Sequence, residues 1–476
     1  MTNTVRTIFK NMSWMLIAQI ITSILSFGWT ILIARYLGPS EYGIYGTAVS
    51  FSSLLLFIAD LGVSSYITRA ISTDFDNEYK YLNNAFSLTI ILSFLYLLVV
   101  LMTLLLIRWD SYTVLICLLF AIENIFIRFS VILNVIFQAH EQMKYQAIAN
   151  IITSVSTFAL TIIVIFKSFG LIGVSLTFIF ANIISFIYVL LTVKKHFVKI
   201  KFIINPSFYE FLIKGGIPFA ISGVFVTIYY SIDLVMITQF VGTYETGIYN
   251  SAYKLLTVLT LFYSIYTSVV YPVMSKLFKD SKDLLQLSFI KSSKYLVLIS
   301  IPICVFTCFY RYDIIGIYGA EFTEAGSVLA ILIWTICFIF INGNSTAVLN
   351  ASHKEYSVTI ICGLAALLNV ILNVIFIPIY SVYGASFATV LSEVLVFLLE
   401  FYVLKKIGHL PDKHFILDII KICISSGVLA IVLYYLDLNM WLAMPVSILV
   451  YFAIIILLKT PDEEDKLIMK QIFNRN

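Results

Sequence analysis

Long apolar runs separated by short polar connections repeat along the whole chain. A helix needs about 20 apolar residues to cross the hydrocarbon core of a bilayer, and each run is close to that length or longer. The pattern predicts an all-α integral membrane protein with about fourteen transmembrane helices. These predicted spans cover about residues 12–34, 43–67, 83–107, 112–137, 146–166, 170–192, 211–241, 248–275, 295–318, 325–349, 357–377, 382–404, 415–436 and 439–458.

The composition agrees with this pattern. Of the 476 residues, 61% are hydrophobic and 12% are charged, whereas a soluble domain is roughly 45–50% apolar and about 25% charged. Fourteen spans use nearly the whole chain, which excludes a separate soluble enzyme domain. The six cysteines all lie in apolar runs, without a CxxC pair or a nearby histidine. We therefore expect no metal site and no cofactor.

The basic residues predict the orientation of the chain. With a cytoplasmic N-terminus, Arg128 and Lys254 fall inside spans, and nearly all other Lys and Arg residues fall at cytoplasmic ends. The exceptions at outer ends are Arg35, Arg108, Lys167 and Arg311. Because cytoplasmic loops are enriched in Lys and Arg, both termini are predicted to be cytoplasmic, in the cell membrane. The charge bias thus reflects topology, and we expect no nucleic-acid partner. The first run lacks a small-residue cleavage site, so we expect a retained span.

The chain contains an internal repeat. At a shift of 204 residues, LGPSEYGIYGTA from Leu37 aligns with VGTYETGIYNSA from Val241, and at a shift of 211, Gly173-Val-Ser aligns with Gly384-Ala-Ser. At the second shift, Lys194-Lys195 also aligns with Lys405-Lys406. Chance similarity of apolar segments is the alternative, but the matches involve Gly, Glu, Tyr and paired Lys. Six spans per copy predict two lobes in the same orientation. We expect an N-lobe at 1–204, a C-lobe at 205–408, and two added helices with a cytoplasmic tail at 409–476.

The repeated LGPSEYG segment has two interpretations. Its glycines lie beside the outer end of a span, where the backbone must turn within a few residues. We expect a structural corner; a ligand site is the alternative.

Several ionisable residues fall within the predicted spans. A charge at the helix centre costs roughly 2.5–3.5 kcal/mol on insertion scales, so each needs a partner, a wet cavity or a function. These residues are Asp60, Glu123, Arg128, Asp233, Lys254, Glu393 and Glu400.

Position along the spans separates these candidates. Asp233 and Lys254 have similar depths on adjacent spans, so they either form an ion pair or leave Lys254 to bind an anion. Arg128 shares its helix face with Asn124. Glu393, at mid-depth, is a candidate for proton or sodium coupling, whereas Glu400, near the inner end, is expected to be solvated.

Two further cations lie at the predicted cytoplasmic mouth. Arg69 ends the second span and Lys214 begins the seventh. Either they contact an anionic headgroup there, or they belong to the ordinary enrichment of Lys and Arg at the cytoplasmic ends of spans.

Four segments together carry a family resemblance. They are ARYLGPSEYGIY from Ala34, DLGVSSYITRAIS from Asp60, FQAHEQMKYQAI from Phe137 and IDLVMITQFVGTYETGIYNSAYKLL from Ile232. The chain resembles Wzx-type polysaccharide flippases of the multidrug/oligosaccharidyl-lipid/polysaccharide exporter superfamily. The resemblance implies a MATE-like fold of two lobes around a central cavity. It also implies movement of an undecaprenyl-pyrophosphate-linked oligosaccharide across the membrane by ion-coupled alternating access.

The resemblance also implies roles for particular residues. Lys254, in SAYKLL, matches a position that is often Lys or Arg, and Arg69 matches the Arg of the second-span motif; cationic cavity residues of this kind are thought to meet the pyrophosphate. Arg128 and Lys214 are further substrate candidates from their positions alone. The candidates for ion coupling or ion pairing are Asp60, Glu123, Asp233 and Glu393. At least three mid-membrane acids argue against a uniformly cationic cavity.

The expected partners are the lipid-linked oligosaccharide, membrane lipid and H⁺ or Na⁺, with the polysaccharide polymerase machinery left open. Two rival functions remain. A multidrug or cation antiporter of the same superfamily would favour acids in its cavity. A polysaccharide polymerase would need sizeable outer loops, yet the longest outer connection, around Arg311 to Glu324, is short. We therefore expect a transporter and not an enzyme.

Overall fold

A computed structural model shows a protein built from long helices joined by short turns. It describes residues 2–408, 413–463 and 465, and these residues form no strand. The helices are α1 (Thr2–Leu55), α2 (Val63–Thr73), α3 (Glu78–Ile107), α4 (Ser111–Ala139), α5 (Met143–Phe166), α6 (Gly170–His196), α7 (Pro206–Phe240), α8 (Thr243–Asp280), α9 (Lys282–Phe309), α10 (Arg311–Ile315), α11 (Ala325–Leu332), α12 (Thr335–Ala351), α13 (Glu355–Lys406), α14 (Lys413–Leu436) and α15 (Met440–Leu457).

Twelve helical stretches among the described residues are long and apolar enough to cross a membrane. Two of them, Lys10–Ala59 and Glu355–Lys406, span 50 and 52 residues, about twice the length needed for one crossing. Each is interrupted by one non-helical residue, Gly38 in α1 and Ser381 in α13. Counting the two parts of each separately gives fourteen segments, which confirms the predicted fold class.

The repeated LGPSEYG segment forms a backbone corner, as predicted. Gly38 has a φ of 72° and a ψ of 173° inside α1, and its repeat counterpart Gly242 has a φ of 142° between α7 and α8. Positive φ is strained for residues with a Cβ atom, so the two corners favour glycine.

The two copies of this segment also pack against each other. A Cβ atom on Gly43 would lie 1.7 Å from the Thr243 carbonyl oxygen, and one on Gly247 would lie 1.9 Å from the Pro39 carbonyl oxygen. Only glycine permits this approach of the α1 and α8 backbones. The repeated glycines therefore form a reciprocal helix contact that sequence comparison did not predict.

The second predicted span, 43–67, is wrong as one continuous helix. After α1, a short 3₁₀ turn at Leu56–Ala59 leads into a break at Asp60, and α2 begins at Val63. The Asp60 carboxylate accepts hydrogen bonds from the Ser64 amide at 3.2 Å and the Ser64 hydroxyl at 2.9 Å. A polar side chain that satisfies the free N–H groups at a helix start is a cap, and it stabilises this break.

Backbone packing divides the chain into two compact units. The first comprises Met1–Asn250 with Val370–Val382, and the second Ser251–Asn369 with Tyr383–Asn476. In the first, apolar side chains of α2, α3, α4, α6 and α7 form one buried cluster. In the second, one cluster joins α8, α9, α12 and α13, and another joins α9, α14 and α15. The lobe boundaries at 204/205 and 408/409 stay predictions.

A buried ionic cluster holds the segment after α15 in the second unit. Lys294 Nζ lies 2.7 Å from Asp465 Oδ2 and 2.8 Å from Asp418 Oδ2, and it donates to the Thr460 carbonyl at 2.8 Å. Lys291 Nζ pairs with Asp462 and, at 3.2 Å, with Asp465 Oδ1. We call these five charged residues the C-terminal clasp. The predicted tail beyond Asp465 lies outside the described residues.

Candidate functional site

Lys254 lies half-buried in α8, three turns after the Gly242 corner. Among the described residues of its own unit, its Nζ forms no hydrogen bond and no ion pair. A membrane-embedded ammonium group without a counter-charge is costly, so this position favours binding of an anion. The alternative ion pair between Lys254 and Asp233 stays a prediction.

Arg128 lies half-buried in α4, in the first unit. Its Nε is buried and has no hydrogen-bond partner within the described part of the chain. Its attractive electrostatic partners are the Asp60 carboxylate and the Tyr96 hydroxyl. Asn124 donates to the same Tyr96 Oη at 3.5 Å, which agrees with the prediction that Asn124 and Arg128 share a helix face.

Arg69 and Lys214 lie exposed on two packed helices, α2 and α7. The rings of Tyr66 and Phe211 meet between these helices with centroids 5.7 Å apart. Lys214 Nζ lies 2.6 Å from Glu210 Oε1, but the side chains are 72% and 67% exposed. An exposed pair of this kind contributes about 0.3–0.5 kcal/mol, so it would yield easily to a stronger anion.

Glu123 is buried in α4 and contacts α6. Asn182 Nδ2 donates to Glu123 Oε1 at 3.0 Å. The Tyr45 ring also lies within electrostatic range of the carboxylate. The partners of this acid are thus polar but uncharged.

Asp233 is buried near the end of α7, with a side chain that is 4% exposed. Tyr249 Oη donates to Asp233 Oδ2 at 2.8 Å, and Asn373 Nδ2 donates to Asp233 Oδ1 at 2.6 Å. Tyr249 is the repeat counterpart of Tyr45. The repeated tyrosine therefore lies beside a buried acid in both copies.

Glu393 and Glu400 are both buried in α13, at 4% and 1% exposure. Asn342 Nδ2 donates to Glu393 Oε2 at 2.8 Å, and the Thr346 hydroxyl donates to Glu400 Oε1. The expectation that Glu400 is solvated is wrong. Its nearness to the helix end suggested contact with water, but α12 covers it.

Sequence reasoning missed the amide and hydroxyl residues that donate hydrogen bonds to these acids. They are Asn182, Asn342, Asn373, Tyr249 and Thr346. Polar neutral residues within apolar runs are a weak signal because they carry little insertion cost. Pairing acids in the membrane with amides as well as with cations would have identified them.

The arrangement combines membrane-embedded cations with buried acids. Glu123, Asp233, Glu393 and Glu400 each accept a hydrogen bond from a neutral amide or hydroxyl group. A buried carboxylate of this kind is stabilised further by a proton or a cation. No cluster of three His, Cys, Asp or Glu side chains suited to a metal ion occurs among the described residues.

A family model described as polysaccharide biosynthesis protein matches residues 8–278, more than half of the chain. This chain belongs to that family. A second model, MatE, matches residues 218–375 of this family member. The predicted superfamily is therefore confirmed.

Relatives of this polysaccharide biosynthesis family member come from bacteria and archaea. It is 24% identical over 409 residues to the capsular polysaccharide biosynthesis protein CapF of Staphylococcus aureus, covering 84% of this chain and 99% of CapF. It is 25% identical to AglR of Haloferax volcanii, named as a probable flippase, over 46% of this chain and 47% of AglR.

Its fold resembles that of the lipid II flippase MurJ in an inward closed conformation. The TM-score is 0.79 at 18% identity, and the match covers 92% of this chain and 97% of MurJ. The likeness confirms the transporter fold. Together with the twelve apolar helical stretches among the described residues, it confirms a multi-pass membrane protein. The names of AglR and MurJ are those of flippases and not of enzymes, which agrees with the expectation of a non-enzyme. The roles of the individual site residues stay predictions.

Proposed function

We propose that this protein is a flippase for a lipid-linked oligosaccharide. Its substrate would be an undecaprenyl-pyrophosphate-linked repeat unit, moved from the cytoplasmic to the outer leaflet of the cell membrane for O-antigen, capsule or exopolysaccharide synthesis. The proposal is supported by the family match, by the names of CapF and AglR, and by the fold shared with MurJ. The observation that carries it in this chain is the membrane-embedded Lys254, which has no described counter-charge.

The chemistry of the substrate requires such a cation. A pyrophosphate is multiply charged and cannot cross hydrocarbon unaided, whereas the polyprenyl tail can stay in the bilayer. Lys254 and the half-buried Arg128 would contact the pyrophosphate within the membrane. The exposed Arg69 and Lys214 would attract it at the cytoplasmic entrance. This assignment of sides assumes the cytoplasmic termini predicted from the positive residues.

An ion gradient would drive the cycle by alternating access. Asp60, Glu123, Asp233 and Glu393 are the candidate acids, and Glu123 and Asp233 each accept a hydrogen bond from an uncharged group. Binding a proton or a sodium ion would neutralise such an acid, and its release would restore the charge. Whether the acid holds its proton or sodium ion would thereby change which conformation of the protein is favoured.

A cation or multidrug antiporter is the second candidate. The MatE match at residues 218–375 favours it, as do the buried acids. The two functions differ in the charge of the cargo, so Lys254 separates them. A flippase for an anionic substrate needs this cation, whereas an antiporter for cationic drugs does not.

The test follows lipid-linked oligosaccharides in cells that lack the gene. The oligosaccharides are labelled, and a periplasmic or surface-side enzyme modifies those in the outer leaflet. We expect unmodified, cytoplasm-facing repeat units to accumulate, and wild-type protein to restore modification. If single units reach the outer leaflet normally but are never joined, the flippase proposal is wrong and polymerisation becomes the leading function.

Variants then test the cation. Lys254→Ala should abolish rescue, while Lys254→Arg, which keeps the charge, should retain part of it. Lys279→Ala is the matched control for a general loss of positive charge, because Lys279 is exposed on the same helix α8 and has no assigned role in binding. Equal loss in the two alanine variants would contradict a specific role for Lys254. Full rescue by Lys254→Ala together with lost drug efflux in acid variants would favour the antiporter.

A further inference from the structure

A row of polar side chains lies between α12 and α13 in the second unit. Asn342 and Thr346 are four residues apart on α12, and Glu393 and Glu400 are seven apart on α13, so each pair shares a helix face. Asn342 Nδ2 donates to Glu393 Oε2 at 2.8 Å and to the Glu393 carbonyl at 3.0 Å. The Thr346 hydroxyl donates to Glu400 Oε1. The two acids are therefore bonded to the same neighbouring helix.

The second carboxyl oxygen of Glu400 has no partner. The residue is 1% exposed, and its Oε2 is buried and accepts no hydrogen bond from any described residue. Glu400 also forms no ion pair within the described ranges. The amide oxygen of Asn342, on the facing side of the row, is likewise buried without a donor. A buried acceptor without a donor is costly, so the position of Glu400 Oε2 favours a protonated carboxyl group.

An ionised Glu400 would be poorly stabilised in this environment. A buried carboxylate needs a cation or several hydrogen-bond donors, and this one has a single hydroxyl. A second acid, Glu393, acts on it through electrostatic repulsion. A bound proton neutralises the Glu400 carboxyl group and turns it into a hydrogen-bond donor. It therefore removes both the cost of burying the charge and the repulsion from Glu393.

The surrounding titratable groups do not offer a compensating charge. On α13 they are Glu393 and Cys362. On α9, Lys291 and Lys294 are engaged in the C-terminal clasp. On α8, Lys276 and Lys279 are exposed, and Tyr266 donates to Asn344 at 3.4 Å. On α12, the residues that contact the two acids are uncharged.

A proton fits this row better than a metal ion. A metal ion requires several ligands, whereas Glu400 has one described side-chain partner, the Thr346 hydroxyl, and no cluster of three His, Cys, Asp or Glu side chains occurs among the described residues. A proton needs one basic oxygen, which Glu400 Oε2 supplies.

We propose that Glu400 is a proton-binding site that exchanges its proton with Glu393 along one face of α13. Glu400 lies six residues before the end of α13 and Glu393 thirteen, so the two differ in depth by about 10 Å. That separation exceeds a hydrogen bond, so the exchange requires water between the two acids. A role of this exchange in transport rests on the proposed function, but the binding of the proton does not.

Infrared spectroscopy of the purified full-length protein tests the site directly. A protonated carboxyl group has a distinct carbonyl band, which should disappear as the pH is raised. We expect Glu400→Gln to remove one titrating band and Thr346→Val to change its pH midpoint, because the hydroxyl is the partner of the acid. Glu355→Gln, on an exposed acid of the same helix, is the control and should leave the band unchanged. A wild-type spectrum and titration in Glu400→Gln would overturn the proposal.

Transport separates this proposal from the proposed function. Proteoliposomes with an internal pH-sensitive dye report proton movement when lipid-linked oligosaccharide is supplied. We expect Glu400→Gln and Glu393→Gln each to abolish proton movement. If wild-type protein moves no oligosaccharide, the proposed function fails while the infrared result stands. If Glu400→Gln loses its band but moves protons as wild type does, the proton is structural and exchange with Glu393 is wrong.

Discussion

Asn182 on α6 donates a hydrogen bond to the buried Glu123 on α4, with 3.0 Å between Nδ2 and Oε1. The second unit contains the same kind of pair with the roles of the helices exchanged. There, Asn342 on α12 donates to Glu393 on α13 at 2.8 Å. At the repeat shift of 211 residues Asn182 aligns with Glu393. Each copy thus has one acid and one amide at this helix contact, with the acid on α4 in the first and on α13 in the second.

This exchange predicts that the first pair can be reversed. Glu123→Ala or Asn182→Ala should each lower the stability by about 1–3 kcal/mol, because each leaves a buried polar group without its partner. The double variant Glu123→Asn/Asn182→Glu recreates the arrangement of the second unit. We expect this double variant to recover most of the stability that Glu123→Asn and Asn182→Glu each lose on their own. Thermal unfolding of the detergent-purified protein measures these stabilities.

A double-mutant cycle on Glu123→Asn and Asn182→Glu measures this coupling. Losses that simply add in the double variant would contradict a direct interaction between the two side chains.

The contact between the repeated glycines should tolerate no side chain. In Gly43→Ala the new Cβ would meet the Thr243 carbonyl oxygen at 1.7 Å, so α1 and α8 must separate. We expect a loss of about 1–3 kcal/mol or more, seen as a lower thermal midpoint and a smaller folded fraction in size-exclusion chromatography.

Gly223→Ala is the matched control. Gly223 lies in α7 with open space around the position of a Cβ atom, and alanine favours helix by up to about 1 kcal/mol. It should unfold at the same temperature as wild type or higher. Equal losses in the two variants would show that the close approach at Gly43 is not the cause.

The repeated tyrosines should differ in their energetic role. Tyr249 Oη donates to the buried Asp233 carboxylate, whereas Tyr45 lies near Glu123 without a described hydrogen bond from its hydroxyl. Hydrogen bonds to charged groups contribute roughly 1.5–3 kcal/mol. We expect Tyr249→Phe to destabilise the protein by about that amount and Tyr45→Phe to unfold close to wild type. A larger loss in Tyr45→Phe would contradict this assignment.

The C-terminal clasp should respond to acid. Burial by itself raises the pKa of Asp465, but hydrogen bonds from Lys294 and Tyr295 outweigh it and hold the pKa well below the ordinary value of 3.8. A lowered pKa in the folded state stabilises the protein above the unfolded-state pKa and ceases to do so as the pH falls through the folded-state pKa. The clasp should therefore be fully formed at neutral pH and weaken progressively below about pH 4.

Asp465→Asn tests this dependence. Breaking a buried ion pair costs roughly 3–5 kcal/mol, so the variant should unfold earlier than wild type at pH 7 and expose the segment after α15 to limited proteolysis. The difference from wild type should shrink as the pH falls below 4. Asp313→Asn, on an exposed acid, is the control. A difference that does not change with pH would mean that the charge of Asp465 is not what holds the segment.

The amino-acid sequence by itself determined the number and extent of the apolar segments and the internal repeat. These are local or periodic properties, since a bilayer imposes a minimum helix length on any chain that crosses it. The corner at Gly38 was equally predictable because a turn beside a span end favours glycine. The ionisable residues within spans were also visible in the sequence because each carries an insertion cost.

Only the tertiary structure decided which groups meet. The sequence shows that Gly43 and Gly247 are equivalent, but not that their helices pack together, because that depends on the path of the intervening chain. The break at Asp60 depends on a side-chain cap that competes with a continuous apolar helix. Glu400 was misjudged because its burial is set by α12, far away in the chain. The amide partners Asn182 and Asn342 became visible only when folding brought them to their acids.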